Sequence, residues 1–343
     1  MPRNSKCHSY GKPKPAPWVP LPCGRRQYLE PPLPKPEPEK DINIVDSDIT
    51  KDTVWDGVYK VVDNVRVRGG ATLTVKPHTK VLFSECRLCN PPAGTLPFAS
   101  LIVNSDGGIN ANDALFRSAN FGLQSSGGLI LLGTGGDFTF EDYATVKSDP
   151  TATPVLSKLN CVSFVNLGNF VADINSVTIA VMTGPDELVM GDMSFDNPGD
   201  DGLEIFGPGD GGSSSLYINN LTVNDAYDDA VDLDDNQTLN VCSSVNLRSR
   251  TAPLAVANCP PTEVVGPGLV EVVGSSGTTN TFTVKKNASY YFLGVITDKT
   301  PVNEPGSVTT FTGDFLALGW SAGQSVFAKG TATQDSSIIG FLP

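Results

Sequence analysis

The stretches GDDGLEIFG (residues 199–207) and YDDAVDLDDN (residues 227–236) follow the same pattern at an offset of 227 − 199 = 28. Each starts around a pair of aspartates and continues as a short run in which apolar and acidic residues alternate. Alternation with a period of two is typical of a β-strand that is buried on one face. The two stretches therefore predict one turn-and-strand unit that the chain uses twice.

The similarity extends to the apolar residues before the aspartates, and a third copy precedes them at an offset of 193 − 162 = 31. The matching apolar positions are Val162 and Phe164, then Met193 and Phe195, then Leu221 and Val223. Repetition of one strand-and-turn unit at such intervals is typical of coils stacked into a solenoid. We therefore expect an all-β protein, a right-handed parallel β-helix (β-solenoid), in which these six side chains form two inward-facing rows.

The composition of the 343-residue chain favours many short strands and turns. It contains 34 Gly and 27 Pro and lacks long stretches of helix-favouring residues. The net charge of −13 argues against nucleic acid or anionic lipid as a partner of the protein body. No apolar run reaches about 18 residues, so no membrane span is predicted, and the N-terminus leads into prolines rather than a signal peptide.

The seven cysteines are an odd number, and a chain of this length needs no disulfides to fold. We therefore expect a reducing compartment and mostly inert, buried thiols. Cys86 and Cys89 have the CxxC spacing of a local disulfide or redox pair. A zinc site is a further alternative, and its other ligands would come from His8, His78, Cys7 or Cys23.

Three regions are predicted along the chain: a Pro-rich basic extended arm (1–40), a β-solenoid body (41–260) and a C-terminal β-rich continuation or cap (261–343). The arm holds 11 of the 27 prolines and eight Lys or Arg against three Glu, so its net charge is 8 − 3 = +5. The remaining chain carries −13 − 5 = −18. Such a Pro-rich segment favours polyproline II and has no core of its own. Because Trp18 and Tyr28 are interleaved with its prolines, we favour a strap that binds a partner over a plain spacer.

The acidic repeats supply the candidate functional residues. They are Asp200, Asp201, Glu204, Asp228, Asp229, Asp232 and Asp234. Alternation directs Glu204, Asp232 and Asp234 outward, and the repeat offset stacks Glu204 on Asp232 at a strand spacing of about 4.8 Å. Carboxylates at that distance repel each other and need compensation.

Three explanations of the acidic group are open. Aspartates at tight turns commonly accept hydrogen bonds from backbone amides, which would make the group structural. Calcium is the cofactor that such a group would hold, because it prefers six to eight oxygen ligands. A carbohydrate-active enzyme would use the carboxylates in pairs, but the nearest bases, Lys158 and Arg248, lie far from the aspartate pairs in the sequence. We therefore expect no catalytic residues.

Three motifs, in order, resemble those of a family of bacterial secreted and surface β-helix proteins of poorly defined function. VRVRGGATLTVKPHT (residues 65–79) is similar to the family's N-terminal pattern V-x-V-x-x-G-A-T-L-T-I-x-P-G-T. The two acidic stretches are similar to its later patterns G-D-D-G-F-E-W-F-G-G and D-D-x-F-D-x-D. TGDF (312–315) and GWS (319–321) are similar to its C-terminal pattern. The resemblance covers about residues 45–325 and implies a parallel β-helix.

The chain departs from the family's pattern at three points. His78 stands at a turn glycine, Ser126 stands at the Trp of a central W-G-G motif, and residues 1–40 stand where the family has a signal peptide. These departures suggest that a similar body has been recruited into a large assembly, in the way that viral particles use β-helices.

We expect a non-enzymatic structural protein of a virion, a minor capsid or surface-appendage component, whose arm binds other subunits. The alternatives are a surface adhesin or glycan-binding module, extracellular or on the cell surface, and a carbohydrate-active β-helix enzyme.

Overall fold

The computed structural model describes fourteen stretches of the chain, and all of them consist of strands and turns. They are residues 41–84, 98–104, 106–119, 127–132, 158–168, 176–180, 187–206, 214–234, 237–249, 268–273, 279–295, 308–312, 325–332 and 336–341. These stretches contain no helix, hence none that would be long and apolar enough to cross a membrane. The predicted arm, residues 1–40, lies outside them, as do Cys86, Cys89 and Ser126.

The strands, numbered in chain order, form three ladders in which equivalent strands of successive coils lie side by side, mostly paired in parallel. Ladder A contains β1 (Ile42–Val45), β3 (Val58–Val61), β6 (Lys80–Phe83), β9 (Leu115–Ser118), β12 (Val162–Val165), the second halves of β14 (Glu187–Asp196), β16 (Ser214–Ala226) and β18 (Gln237–Ser249), and then β21 (Ser289–Val295). Ladder B contains β4 (Val65–Val67), β7 (Leu101–Val103), β10 (Leu129–Leu132), β13 (Val177–Ala180), β15 (Leu203–Phe206), β17 (Asp229–Asp234) and β19 (Gly268–Val273). Ladder C contains β2 (Thr53–Trp55), β5 (Thr72–Val75), β8 (Gly108–Asn112) and β11 (Lys158–Asn160), and then the first halves of β14, β16 and β18 followed by β20 (Thr279–Val284).

The chain visits the ladders in the cyclic order A, B, C, so each coil consists of three short strands joined by corners. The strand register confirms the repeat read from the sequence. Val162 pairs with Met193, and Met193 pairs in turn with Leu221, which are the equivalences that the two sequence offsets predict. Leu203 likewise pairs with Val231, its equivalent in the next acidic stretch. Parallel strands in stacked coils are the architecture of a β-solenoid, as predicted.

The two predicted inward rows are also confirmed. Val162, Phe164, Met193, Phe195, Leu221 and Val223 are each 2% exposed or less. In the second row, neighbouring rings contact each other from coil to coil: ring centroids are 5.3 Å apart for the tilted pair Phe116 and Phe164 and 5.0 Å apart for the stacked pair Phe164 and Phe195. Aromatic contact of this kind adds to the free energy gained by burying apolar surface.

At several corners between ladders the backbone is in the left-handed region, where residues other than glycine are strained. His78 (φ 67°) and Asp113 (φ 51°) occupy equivalent corners from ladder C to ladder A, and His78 Nδ1 lies 3.0 Å from Asp113 Oδ2. The turn at His78 therefore has a backbone conformation that favours glycine. Asn166 (φ 54°) and Asn197 (φ 56°) stack at the corner from A to B, where Asn197 Nδ2 donates to Asn166 Oδ1 at 2.5 Å.

The two ends of the solenoid differ. At the C-terminal end, β22 (Val308–Thr312), β23 (Ser325–Thr331) and β24 (Ser336–Phe341) pair antiparallel. β24 pairs with β20 and β23 pairs with β21, so the last coil is covered by strands of the same chain. At the other end, β1 pairs with β3 on one side, and no further strand of the described residues lies on its other side. The boundary that the sequence suggests at residue 260 stays a prediction, and the parallel ladders continue past it through β20 and β21.

The expectation of reduced thiols is wrong for Cys161 and Cys242, which are both disulfide-bonded. They are not bonded to each other. Cys161 precedes Val162, whose row in ladder A reaches Val245 three coils later, and Cys242 lies shortly before Val245 in the same strand. Three strand spacings amount to about 14 Å, whereas the Cα atoms of a disulfide lie about 4.4–6.8 Å apart. The two cysteines therefore belong to separate disulfides, and the spacing of the seven cysteines in the sequence does not show which residues they pair with.

Candidate functional site

The aspartate pairs lie at the corner between ladders A and B, directly before β15 and at the start of β17. Backbone hydrogen bonds between successive coils continue through this corner. Ser176 N–H donates to Asp201 O at 3.1 Å, and Gly202 N–H donates to Asp229 O at 3.0 Å. Equivalent residues of successive coils are therefore stacked here as closely as in the strands, which is what the sequence predicted.

Three carboxylates meet at this corner. Asp200, Asp201 and Asp228 each contribute an oxygen, and the three oxygens lie within 4.8 Å of one another. We call these three residues the corner triad. The three side chains are only 3%, 8% and 7% exposed, and Asp229 beside them is fully buried. Alternation along the strand does not predict this burial, because the residues belong to a corner and not to a strand.

One member of the corner triad ties two coils together. Asp201 Oδ1 accepts a hydrogen bond of 2.7 Å from the backbone N–H of Asp229, its own equivalent in the next coil. A charge-assisted hydrogen bond to a buried amide stabilises the carboxylate in its ionised form. For Asp201 the turn-capping explanation is therefore directly supported.

Gly202 follows the triad because the next coil approaches it too closely for a side chain. A Cβ atom at Gly202 would lie 2.7 Å from Ala230 O and 2.8 Å from Val223 Cγ1. Real Cβ atoms do not approach other atoms so closely, and the first neighbour is backbone, which cannot rotate away. The glycine of the sequence motif thus serves the packing of coils.

Two of the other candidate acids, Glu204 and Asp232, form a separate outer row. Glu204 pairs with Asp232 in register and both are half-buried, while Leu203 and Ile205 on either side of Glu204 are buried. The predicted outward direction of Glu204 and Asp232 is therefore confirmed. Asp234 pairs with Phe206 in the same two strands. None of these three belongs to the corner triad.

The sequence did not reveal one further acidic residue in this register. Asp232 pairs on its other side with Glu271 of β19, so three acidic residues are in register in successive coils. The interval from Asp232 to Glu271 is longer than the one from Glu204 to Asp232, because the connection after β18 is longer. A search with a fixed interval passes over Glu271, whereas aligning the run GLVEVV (residues 268–273) with DAVDLD (residues 229–234) would have found it.

Three buried carboxylates so close together cannot coexist as bare charges. At about 4.8 Å, a pair of unit charges repels by about 1 kcal/mol in a water-like medium and about 3.5 kcal/mol at an effective dielectric constant of about 20. Hydrogen bonds from amides, a retained proton or a bound cation can each offset this repulsion. Carboxylate oxygens converging within one ion's reach suit calcium, a hard cation that takes oxygen ligands at about 2.3–2.6 Å. The corner triad thus fits both the capping and the calcium explanation.

Comparison of the chain with protein-family models, with curated proteins and with solved structures gives no match. The fold and the site together define a β-solenoid with a buried acidic corner. The resemblance to secreted bacterial β-helix proteins stays a prediction.

Proposed function

We propose that this chain is a non-enzymatic structural protein of a large assembly, and specifically a component of a virion. In this proposal the body is a right-handed parallel β-helix that serves as a rigid unit, and residues 1–40 are a strap that binds other protein subunits. Right-handedness is favoured because crossover connections between parallel strands are right-handed in nearly all known cases.

The difference between the two ends of the solenoid carries this proposal. The last coil is covered by the antiparallel strands β23 and β24. The first coil is not covered in this way by any strand of the described residues, and it follows directly on the predicted arm at residue 41. An open strand edge is a surface on which another chain can pair, and proteins that act alone usually protect it. One closed end and one open end beside an arm is the arrangement expected of a subunit built into a larger structure.

The disulfides of Cys161 and Cys242 favour a location outside a reducing cytosol. A virion or a cell surface both satisfy this condition. Two separate disulfides use four of the seven cysteines, which leaves at most 7 − 4 = 3 free thiols. We expect thiol titration of the unfolded, unreduced protein to find three or fewer, and a value near seven would contradict both the disulfides and this location.

The acidic corner has a structural role in this proposal, and its ligand, if it binds one, is calcium. Asp200, Asp201 and Asp228 would supply oxygens to the ion. An ion there would join two successive coils, as the hydrogen bond from Asp229 N–H to Asp201 already does.

Cross-linking of the intact particle tests the strap. The amines of Lys6, Lys12 and Lys14 should cross-link to other subunits, which mass spectrometry of the digested particle would identify. A protein that occurs as a monomer, with an arm that cross-links to nothing, contradicts the proposal.

The enzyme alternative would be supported if the protein cleaved a polysaccharide and Asp201→Asn abolished this cleavage without lowering the melting temperature. Tight binding to a glycan array by the purified monomer would support the adhesin alternative.

A further inference from the structure

The exposed apolar residues of the solenoid are concentrated in its first coil. Among the side chains that the structure describes, the large hydrophobic ones that are exposed are Ile42 (39%), Ile44 (58%), Val54 (54%) and Val62 (38%). All four lie within residues 41–63, in the first coil and at the start of the second, although side chains are described as far as residue 332. A distribution confined to one end of the solenoid marks an interaction surface rather than ordinary surface exposure.

These residues lie on the outside of the coil, next to an open strand edge. In ladder A, Ile44 is in register with half-buried Lys60 and, one coil further on, with buried Leu82, and Val45 beside it is in register with buried Val61. Solvent-exposed edge strands of single proteins usually carry charges instead of isoleucines, because an apolar edge invites another strand. β1 therefore has the character of a strand that receives a partner.

The first coil is also acidic. Residues 41–57 contain five aspartates and one lysine, a net charge of 1 − 5 = −4. The aspartates with exposed side chains are Asp41, Asp46, Asp52 and Asp56. A partner that fits this surface is a positively charged segment with some apolar side chains, able to adopt an extended strand.

Such a segment precedes the coil in the same chain. Within the arm of net charge +5, residues 23–30 (CGRRQYLE) lie between Pro22 and Pro31 and contain no proline. They can therefore donate backbone hydrogen bonds along a strand edge, which the Pro-rich segments around them cannot do. Arg25 and Arg26 match the acidic surface, and Tyr28 and Leu29 supply apolar contact.

We propose that residues 23–30 of one copy bind the first coil of a neighbouring copy as an added strand along β1. This inference rests on the proposed function and names the surface that receives the strap. The segment belongs to a neighbour because residues 31–38 contain five prolines, which favour a stiff polyproline II segment of about 3.1 Å per residue. Eight residues of polyproline II span about 25 Å, which would keep residues 23–30 from folding back onto the chain's own β1. Contacts of this head-to-tail kind link copies into rings or open chains.

Sedimentation of the full-length protein over a concentration range of about 1–100 µM tests this contact. Wild-type protein should self-associate, and less strongly at high salt, because charges contribute. Ile44→Lys, which damages the receiving coil, should weaken association at least tenfold. The double variant Arg25→Glu and Arg26→Glu, which damages the donated segment, should do the same. Thr331→Lys introduces the same charge at an exposed position of the opposite end and serves as the control.

Mixing the two defective variants gives the decisive result. Ile44→Lys keeps an intact arm and the Arg double variant keeps an intact first coil, so each should be monomeric alone while their mixture forms 1:1 dimers. Circular dichroism should show unchanged melting, since Ile44 is largely exposed. A mixture that stays monomeric overturns the proposal, as does self-association that Ile44→Lys abolishes and the Arg variant leaves intact. Wild-type protein that stays monomeric also overturns it, while cross-links from residues 1–40 to other particle proteins would leave the proposed function standing.

Discussion

At the scale of single residues, Gly202 is the residue whose identity the structure explains most sharply. Gly202→Ala should lower the free energy of unfolding by about 1–3 kcal/mol, because the new Cβ would overlap the backbone of Ala230 and the side chain of Val223. Chemical denaturation measures this loss. Ser289→Ala, at an exposed position, should change stability by less than about 0.5 kcal/mol. Equal free energies of unfolding for the two variants would contradict the close approach of Ala230 and Val223 to Gly202.

The corner triad gives a second prediction at this scale, on calcium. If the ion binds, the melting temperature should rise from EDTA to millimolar calcium, since a ligand in hundredfold excess over its Kd stabilises the folded state by about 2.7 kcal/mol. Asp228→Asn should remove this rise, because it takes away one ligand charge from the triad. Asp196→Asn makes the same change at an exposed position and should keep it. Wild-type melting that is indifferent to both conditions would leave amide capping, as seen for Asp201, as the explanation.

At the scale of strands, ladder A makes the strongest prediction about stability. Phe195 is fully buried between coils and its ring stacks on that of Phe164, so Phe195→Ala should cost about 3–5 kcal/mol by leaving a cavity. Ser194 is the matched control, because it precedes Phe195 on the opposite face and makes one hydrogen bond of 2.9 Å with Ser163. Ser194→Ala should cost about 1 kcal/mol. Urea unfolding of both variants checks the difference, and similar costs would show that the inward and outward faces had been exchanged.

The same ladder shows how far sequence can predict a solenoid. Between residues 162 and 233 the intervals between coils are similar, so offsets of 195 − 164 = 31 and 231 − 203 = 28 align Phe164 with Phe195 and Leu203 with Val231 correctly. Earlier coils have other lengths: the interval from Val58 to its partner Lys80 is shorter, and the one from Leu115 to its partner Ser163 is longer. Long connections leave each strand recognisable but remove the constant interval, and with it the register.

The candidate site was predictable to a similar extent. The outward direction of Glu204 and Asp232 follows from the period of two in their strands, and the structure agrees. The burial of Asp200 and Asp228 did not follow, because a corner has no period from which to read direction. Glu271 was missed because a longer connection precedes it. The sequence spacing thus predicts that the carboxylates lie in neighbouring coils. It does not predict which of them are buried at the corner and which lie in the outer row.

At the scale of the whole molecule, the protein is a stack of coils whose ends must be treated differently from its middle. Neighbouring coils satisfy each other's backbone groups, so the open edges concentrate at the two ends. The C-terminal end is closed by β23 and β24, which cover the edges of β21 and β20. The N-terminal end has exposed Ile44 and Val54. A single solenoid therefore protects its C-terminal end with its own strands, and in our proposal a neighbouring chain covers the first coil.

This asymmetry predicts what happens when the closed end is opened. Removing residues 296–343 deletes β22, β23 and β24 and exposes the edges of β20 and β21, where Phe282 and Phe292 are buried in the intact protein. We expect the truncated protein to associate through this second edge, which light scattering would detect as a concentration-dependent rise in mass. Both the truncated and the full-length protein should be made with the substitution Ile44→Lys, which prevents association through the first coil. Because the deleted strands form no part of the parallel ladders, the remaining coils should still melt cooperatively. A truncated protein that stays monomeric and melts like the full-length chain would show that β23 and β24 are not what keeps the last coil from pairing.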